Sequence, residues 1–65
     1  MNGVDPYAFM QRAAGRLNVS QDPAELERFQ DDLEYLYDVL DPELQGLADQ
    51  LMGQLVERIA ALRRG

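Results

Sequence analysis

Carboxylates at regular intervals are the residues of this sequence best placed to do chemistry. Between residues 23 and 40, acidic side chains recur at steps of four, three and four residues, at Glu27, Asp31, Glu34 and Asp38. In an α-helix these steps bring side chains onto one side, so the spacing predicts a carboxylate stripe. Such a stripe attracts a basic protein surface, binds a hard cation, or supplies the acid and base of a hydrolase.

The side chains that would support a metal site or catalysis are scarce. The chain of 65 residues has no Cys and no His, and Ser20 is its one serine. Ser20 therefore lacks a base, a zinc site lacks its usual ligands, and no oxygen-rich calcium loop accompanies the carboxylates. A chain this short hardly encloses the cleft that a hydrolase needs. We expect no enzyme activity, no metal and no cofactor, and we interpret the stripe as either a solvated face or a docking face for a basic protein surface.

The acidic residues are concentrated in the middle of the chain. The formal net charge is −6, and residues 23–45 contain eight acids and one arginine. This excess argues against direct binding to nucleic acid or to an anionic membrane. Because we find neither a membrane-length apolar run nor a signal-peptide pattern, we expect a cytoplasmic protein. Three arginines near the end fit the negative end of a helix dipole better than a nucleic-acid patch: Arg58, Arg63 and Arg64.

Tyr35 differs from its neighbours because the helical pattern places it opposite the apolar residues, on the side of Arg28 and Val39. An exposed tyrosine beside an arginine and an aliphatic side chain is typical of an interaction hot spot. The alternative is an isolated surface aromatic, which is common. We predict a partner-binding surface made of Tyr35, Val39 and Arg28 together with the carboxylate stripe.

Three Asp-Pro pairs divide the chain, at residues 5–6, 22–23 and 41–42. Aspartate caps a first helical turn and proline is tolerated immediately after it, so each pair predicts a helix start. Glu25, three residues after Asp22, resembles the second half of a capping box. We therefore predict one all-α domain over residues 1–65, with helices at about 6–17, 23–40 and 42–63.

Apolar periodicity predicts which helix faces meet. The first helix places Tyr7, Met10, Ala14 and Leu17 on one face. The second has a narrow leucine-rich stripe, and the third has an apolar face about 180° wide. The predicted core of the last two helices consists of Leu26, Phe29, Leu33, Leu36, Leu40, Leu44, Leu51, Leu55, Ile59 and Leu62.

The connection between the last two predicted helices consists of Asp41 alone. An antiparallel helical hairpin usually needs two to five loop residues, so we expect Val39 or Leu40 to leave the helix. A continuous helix kinked at Pro42 is the alternative. Gly46 and Gly53 fall on the polar side of the third helix, where they are either tolerated at a cost or mark the close approach of another backbone.

The apolar face of the third helix is too wide for one neighbour, so either the first and second helices both pack on it or a second copy of the chain covers the remainder. We expect a homodimer or higher oligomer that uses Met52, Val56 and Ile59. The predicted function is a non-enzymatic protein–protein interaction module, such as an adaptor, a regulator or a small chaperone subunit. The alternative is an acidic decoy that blocks the nucleic-acid-binding surface of another protein.

Overall fold

Every helix begins at a proline that follows an aspartate. The computed structural model describes residues 5–65 and contains α1 (Pro6–Val19), α2 (Pro23–Tyr37) and α3 (Pro42–Arg64). In this part of the chain all regular structure is helical. The predicted all-α class and the three helix starts are therefore confirmed, whereas residues 1–4 of the predicted domain lie outside the described residues.

The aspartates do not all cap their helices in the same way. The Asp5 carboxylate accepts a hydrogen bond from the Tyr7 backbone N–H, and Asp22 accepts one from Ala24, both at 3.0 Å. Asp41 has an extended backbone before α3 but makes no side-chain capping bond. The Asp-Pro pattern thus predicts where a helix begins without guaranteeing that the aspartate side chain caps it.

The capping box predicted at the start of α2 is wrong. The Asp22 backbone N–H donates to the Ser20 hydroxyl at 3.2 Å, and that hydroxyl donates to Glu25 at 2.8 Å. Glu25 also receives two bonds from the Arg16 guanidinium, at 2.6 and 3.0 Å. The Glu25 carboxylate binds the Arg16 guanidinium and not the Asp22 backbone N–H, because a charged group with two donors binds more strongly than one amide. The resulting network ties the end of α1 to the start of α2.

The second and third helices form an antiparallel hairpin. Arg63 near the end of α3 contacts Glu27 near the start of α2 at 2.6 Å. At the other end, the Gln45 side-chain amide donates to the Tyr37 carbonyl at 3.3 Å. A single helix kinked at Pro42 would separate these ends, so the hairpin prediction is correct.

The turn of the hairpin takes four residues, 38–41, because α2 ends at Tyr37 rather than near residue 40. Short-range bonds from the Val39 and Leu40 backbone N–H groups to Leu36 and Tyr37 carbonyls close this turn. Leu40 leaves the helix yet stays buried, so it fixes the turn to the core. At the other connection α1 continues to Val19, past the end predicted at residue 17.

One core lies between the three helices. From the predicted set, six residues are buried and four are partly buried against them; the buried ones are Leu26, Leu33, Leu40, Leu51, Leu55 and Ile59. The face predicted for α1 needs correction, since Tyr7 is 51% exposed and Ala14 is only partly buried, whereas Phe9 and Ala13 are buried. The α1 face is turned because Phe9 also packs on α2, with its ring centroid 5.8 Å from that of Phe29.

The glycines of α3 lie in the open. A Cβ atom at Gly46 or Gly53 would have no neighbour within 4 Å, so no backbone of the described residues approaches them. Within residues 5–65, the low helix propensity of these glycines is therefore tolerated and is not offset by a close backbone contact.

Candidate partner-binding surface

The carboxylate stripe of α2 is divided by an ion pair. Glu27 contacts Arg63 at 2.6 Å, whereas Asp31, Glu34 and Asp38 are exposed. The exposed members make no side-chain ion pair within the described part of the chain. The docking interpretation therefore concerns these three residues, because Glu27 already has a cation beside it.

Two of the exposed carboxylates lie at the mouth of a groove between α2 and α3. Its volume is about 350 Å³. We call it the acidic groove, and it is lined by Glu34, Tyr37, Asp38, Ala48, Asp49 and Met52. Three of these side chains are carboxylates and none is a cation, so the groove suits a positively charged guest. The periodicity of α2 could not reveal Asp49, which belongs to α3; the hairpin register brings it here.

Tyr37 joins the two walls of the acidic groove. Its hydroxyl donates to the Asp49 carboxylate at 3.2 Å, a long bond for two oxygen atoms. Burial, this bond and the negative charges of Asp49 and Asp38 all raise the pKa of the Tyr37 hydroxyl. The phenol therefore stays neutral and keeps its proton available for Asp49.

Tyr35 is the most exposed large apolar side chain of the described residues, at 86%, and Val39 follows at 73%. Arg28 is exposed on α2, seven residues or about two helical turns before Tyr35. Val39 lies in the turn rather than on the helix that the sequence predicted. Tyr35 and Val39 thus mark the turn end of α2, where Glu34 and Asp38 also lie, and Arg28 stands apart from that end.

The three residues predicted for self-association differ in how far they are exposed. Ile59 is buried in the core at 7% exposure, Met52 lines the acidic groove and Val56 is 48% exposed. Val56 is therefore the member of this set that offers substantial free apolar surface. The dimer itself remains a prediction.

A second groove, between α1 and α3, escaped the sequence analysis. Its volume is about 320 Å³, and we call it the neutral groove. Its walls are Tyr7, Gln11 and Ala14 on α1 with Leu47, Gln50 and Gln54 on α3, and its floor is Met10 and Leu51. No lining side chain is charged. The sequence shows the spacing of these uncharged residues, but this spacing indicates a groove only when α1 is known to lie beside α3.

Residues 5–65 contain neither a metal-binding cluster nor a membrane-spanning helix. Within residues 5–65, no three acidic side chains lie close enough together to hold a metal ion. None of the helices in that range has both the length and the apolar composition needed to cross a bilayer. Comparison of the chain with family models, curated proteins and solved structures found no match. The described features best suited to meet a partner are the two grooves and the exposed side chains of Tyr35 and Val39.

Proposed function

We propose that the chain is a non-enzymatic protein–protein interaction module that binds a partner with a basic surface. The observation that carries the proposal is Tyr35, 86% exposed at the end of α2 where carboxylates collect. Tyrosine contributes contact area with little loss of side-chain entropy and is enriched at interface hot spots. Adjacent carboxylates select a cationic partner and speed its approach.

In this proposal each part of the surface has a role. Tyr35 and Val39 provide the apolar anchor, and Glu34, Asp38 and Asp31 receive Lys or Arg side chains of the partner. Arg28 and Glu27 lie nearer the other end of α2, where Glu27 already contacts Arg63. We assign them to the rim, where charges contribute less to affinity.

The proposal also includes a homodimer acting in the cytoplasm. The support for self-association is the apolar surface that α3 leaves uncovered, since Leu47 and Val56 are each 48% exposed. Leu47 belongs to the neutral groove, while Val56 lies on the flank that the sequence analysis chose.

The test is to capture partners from the native host, identify them by mass spectrometry, and titrate the purified partner against matched variants. We expect Tyr35→Ala to weaken binding about tenfold or more, as at a hot spot. Tyr7→Ala is the control, because Tyr7 is also exposed, at 51%, but lies in the neutral groove. Equal affinities for the two variants would contradict the proposal.

The acidic decoy is the second candidate, and the same titration separates the two. A decoy binds through charge alone, so its affinity falls steeply with salt and depends on Asp31, Glu34 and Asp38. Binding anchored by Tyr35 keeps most of its strength at high salt. The Glu27–Arg63 ion pair shortens the free carboxylate row, which favours the anchored module.

A further inference from the structure

We propose that the neutral groove between α1 and α3 is the face through which two copies of this chain associate. The inference rests on the homodimer included in the proposed function, and it moves the interface away from the Met52–Val56 flank. The occupant of the groove is the same groove of a second copy, related by a two-fold axis.

Charge is the first argument. In a two-fold interface each surface patch meets itself, so a charged patch near the axis faces its own charge. Every copy carries a formal net charge of −6, so two copies repel unless their contact surfaces are neutral. The walls and floor of the neutral groove carry no charged side chain. This groove can therefore meet itself without bringing like charges together, and the cleft that adjoins it at Gln54 carries one charge of each sign, Glu57 and Arg58.

The flank chosen from the sequence is much less suited to self-contact. Met52 lines the acidic groove beside Glu34, Asp38 and Asp49. A two-fold contact there would bring this set of carboxylates against its own copy without a compensating cation in the groove. Ile59 is already buried within its own chain, at 7% exposure.

The first helix keeps its charges away from the neutral groove. Arg16 turns towards α2 and forms its ion pair with Glu25 at 2.6 Å. The Arg12 guanidinium lies 5.9 Å from the centre of the Phe9 ring, and Phe9 in turn packs against Phe29 of α2. Both arginines of α1 thus occupy its α2 side, which leaves the α3 side to Tyr7, Gln11 and Ala14.

The available area predicts a weak and concentration-dependent dimer. A standard specific interface takes about 800 Å² from each partner, roughly one sixth of this chain's accessible surface of 4553 Å². The stretch of α1 that lines the groove, residues 7–14, limits its length to about 12 Å at about 1.5 Å rise per residue. The contact therefore lies at the small end of specific interfaces, with half-exposed Tyr7 and Leu47 as its apolar anchors.

Charge exchange at Gln50 tests the inference directly. Gln50 is exposed on α3 in the groove wall, so Gln50→Glu and Gln50→Arg both remain compatible with the helix. Sedimentation equilibrium of the wild-type chain should show a monomer–dimer equilibrium. Each variant alone should weaken dimerisation about tenfold or more because like charges meet at the axis. An equimolar mixture of the two variants should recover the affinity as a heterodimer.

Two matched sets of variants make the result decisive. Gln21→Glu and Gln21→Arg carry the same net charges as the Gln50 variants but lie in the α1–α2 connection, and they should dimerise like the wild type. Val56→Glu and Val56→Arg probe the competing flank, and they should also leave the dimer intact.

Loss of the dimer in the Val56 pair, with normal Gln50 variants, overturns the neutral-groove interface while keeping the proposed homodimer. A wild-type chain that stays monomeric up to millimolar concentration overturns both. Neither result affects binding of a partner at Tyr35.

Discussion

The acidic groove and the neutral groove lie on either side of α3 and differ most in charge. The first is walled by three carboxylates, while the second has no charged side chain at all. Their volumes are similar, at about 350 and 320 Å³. Volume therefore does not distinguish the two grooves, and they differ instead in the charge of their lining side chains.

The contrast shows how a small helical chain can separate two kinds of contact. A wall of like charges repels its own copy and attracts an unlike partner, whereas a neutral wall tolerates its own copy. Because α3 contributes to both grooves, both depend on the packing beneath it. Substitutions in that shared packing should therefore have larger effects than substitutions on either side of α3.

The largest effect is expected from the core beneath both grooves. Leu55 is fully buried, and Leu55→Ala leaves a cavity in the core. The substitution should therefore lower the free energy of unfolding by about 2–5 kcal/mol. Leu47→Ala is the control, because Leu47 is 48% exposed in the neutral groove and should lose much less. Urea unfolding followed by circular dichroism measures both. A smaller loss at Leu55 than at Leu47 would show that the core is packed differently.

The next effect compares the start of α2, which contributes only to the acidic groove, with the start of α3, which contributes to both grooves. Asp22→Ala removes the bond to the Ala24 N–H and should cost about 1 kcal/mol. Asp41→Ala also removes a negative charge before a helix, but Asp41 makes no side-chain capping bond, so its loss should be smaller. Thermal unfolding of the two variants in the same buffer compares them. Equal losses would mean that charge near the helix dipole, rather than the hydrogen bond, provides the stabilisation.

These aspartates also show how far the sequence predicted the fold. Local rules placed all three helix starts, because proline restricts the backbone whatever the surroundings. Whether Asp41 caps its helix, and whether Glu25 completes a capping box, depends on neighbours that local rules do not include. Arg16 lies nine residues before Glu25, and its competing ion pair decided the outcome.

The candidate surfaces were predicted less completely than the fold. Exposure of Tyr35 followed from the apolar stripe of α2, because residues opposite a buried stripe face solvent, whereas Val39 is exposed in the turn and not on that helix. Asp49 and the neutral groove were missed because they require knowledge of how the helices are aligned. The face of α1 was misassigned for a related reason: periodicity selects one stripe, while Phe9 packs on a second neighbour.

The pH dependence of stability should separate a carboxylate with a cation partner from those of the acidic groove. Hydrogen bonds from Arg16, and then from Ser20, lower the pKa of Glu25 from 4.5 to about 2. A lowered folded-state pKa stabilises the fold above the ordinary value, and this contribution is lost as the pH falls from about 4.5 towards 2. Glu25→Gln should therefore reduce the stability lost over that interval.

Glu34→Gln is the matched control for this titration, since Glu34 lies in the acidic groove and forms no ion pair among the described residues. The measured quantity is the unfolding free energy of each variant subtracted from that of the wild type at each pH. If Glu25→Gln and Glu34→Gln reduce the acid-induced loss equally, the Arg16–Glu25 contact is not formed in solution.

The smallest effect concerns the destabilisation of α2 by repulsion between its carboxylates. Asp31 has Glu27 four residues before it and Glu34 three residues after it, and like-charge pairs at these spacings cost roughly 0.2–0.5 kcal/mol each. Asp31→Asn should therefore raise the melting temperature slightly at low salt, although part of the repulsion is already offset because Glu27 contacts Arg63. The gain should disappear in about 1 M salt, where charges are screened within about 3 Å.

Gln11→Asn is the control, because it shortens an exposed, uncharged side chain of the neutral groove, so its effect should be the same at both salt concentrations. A gain at Asp31 that persists in high salt would mean that repulsion between neighbouring carboxylates of α2 is not its cause.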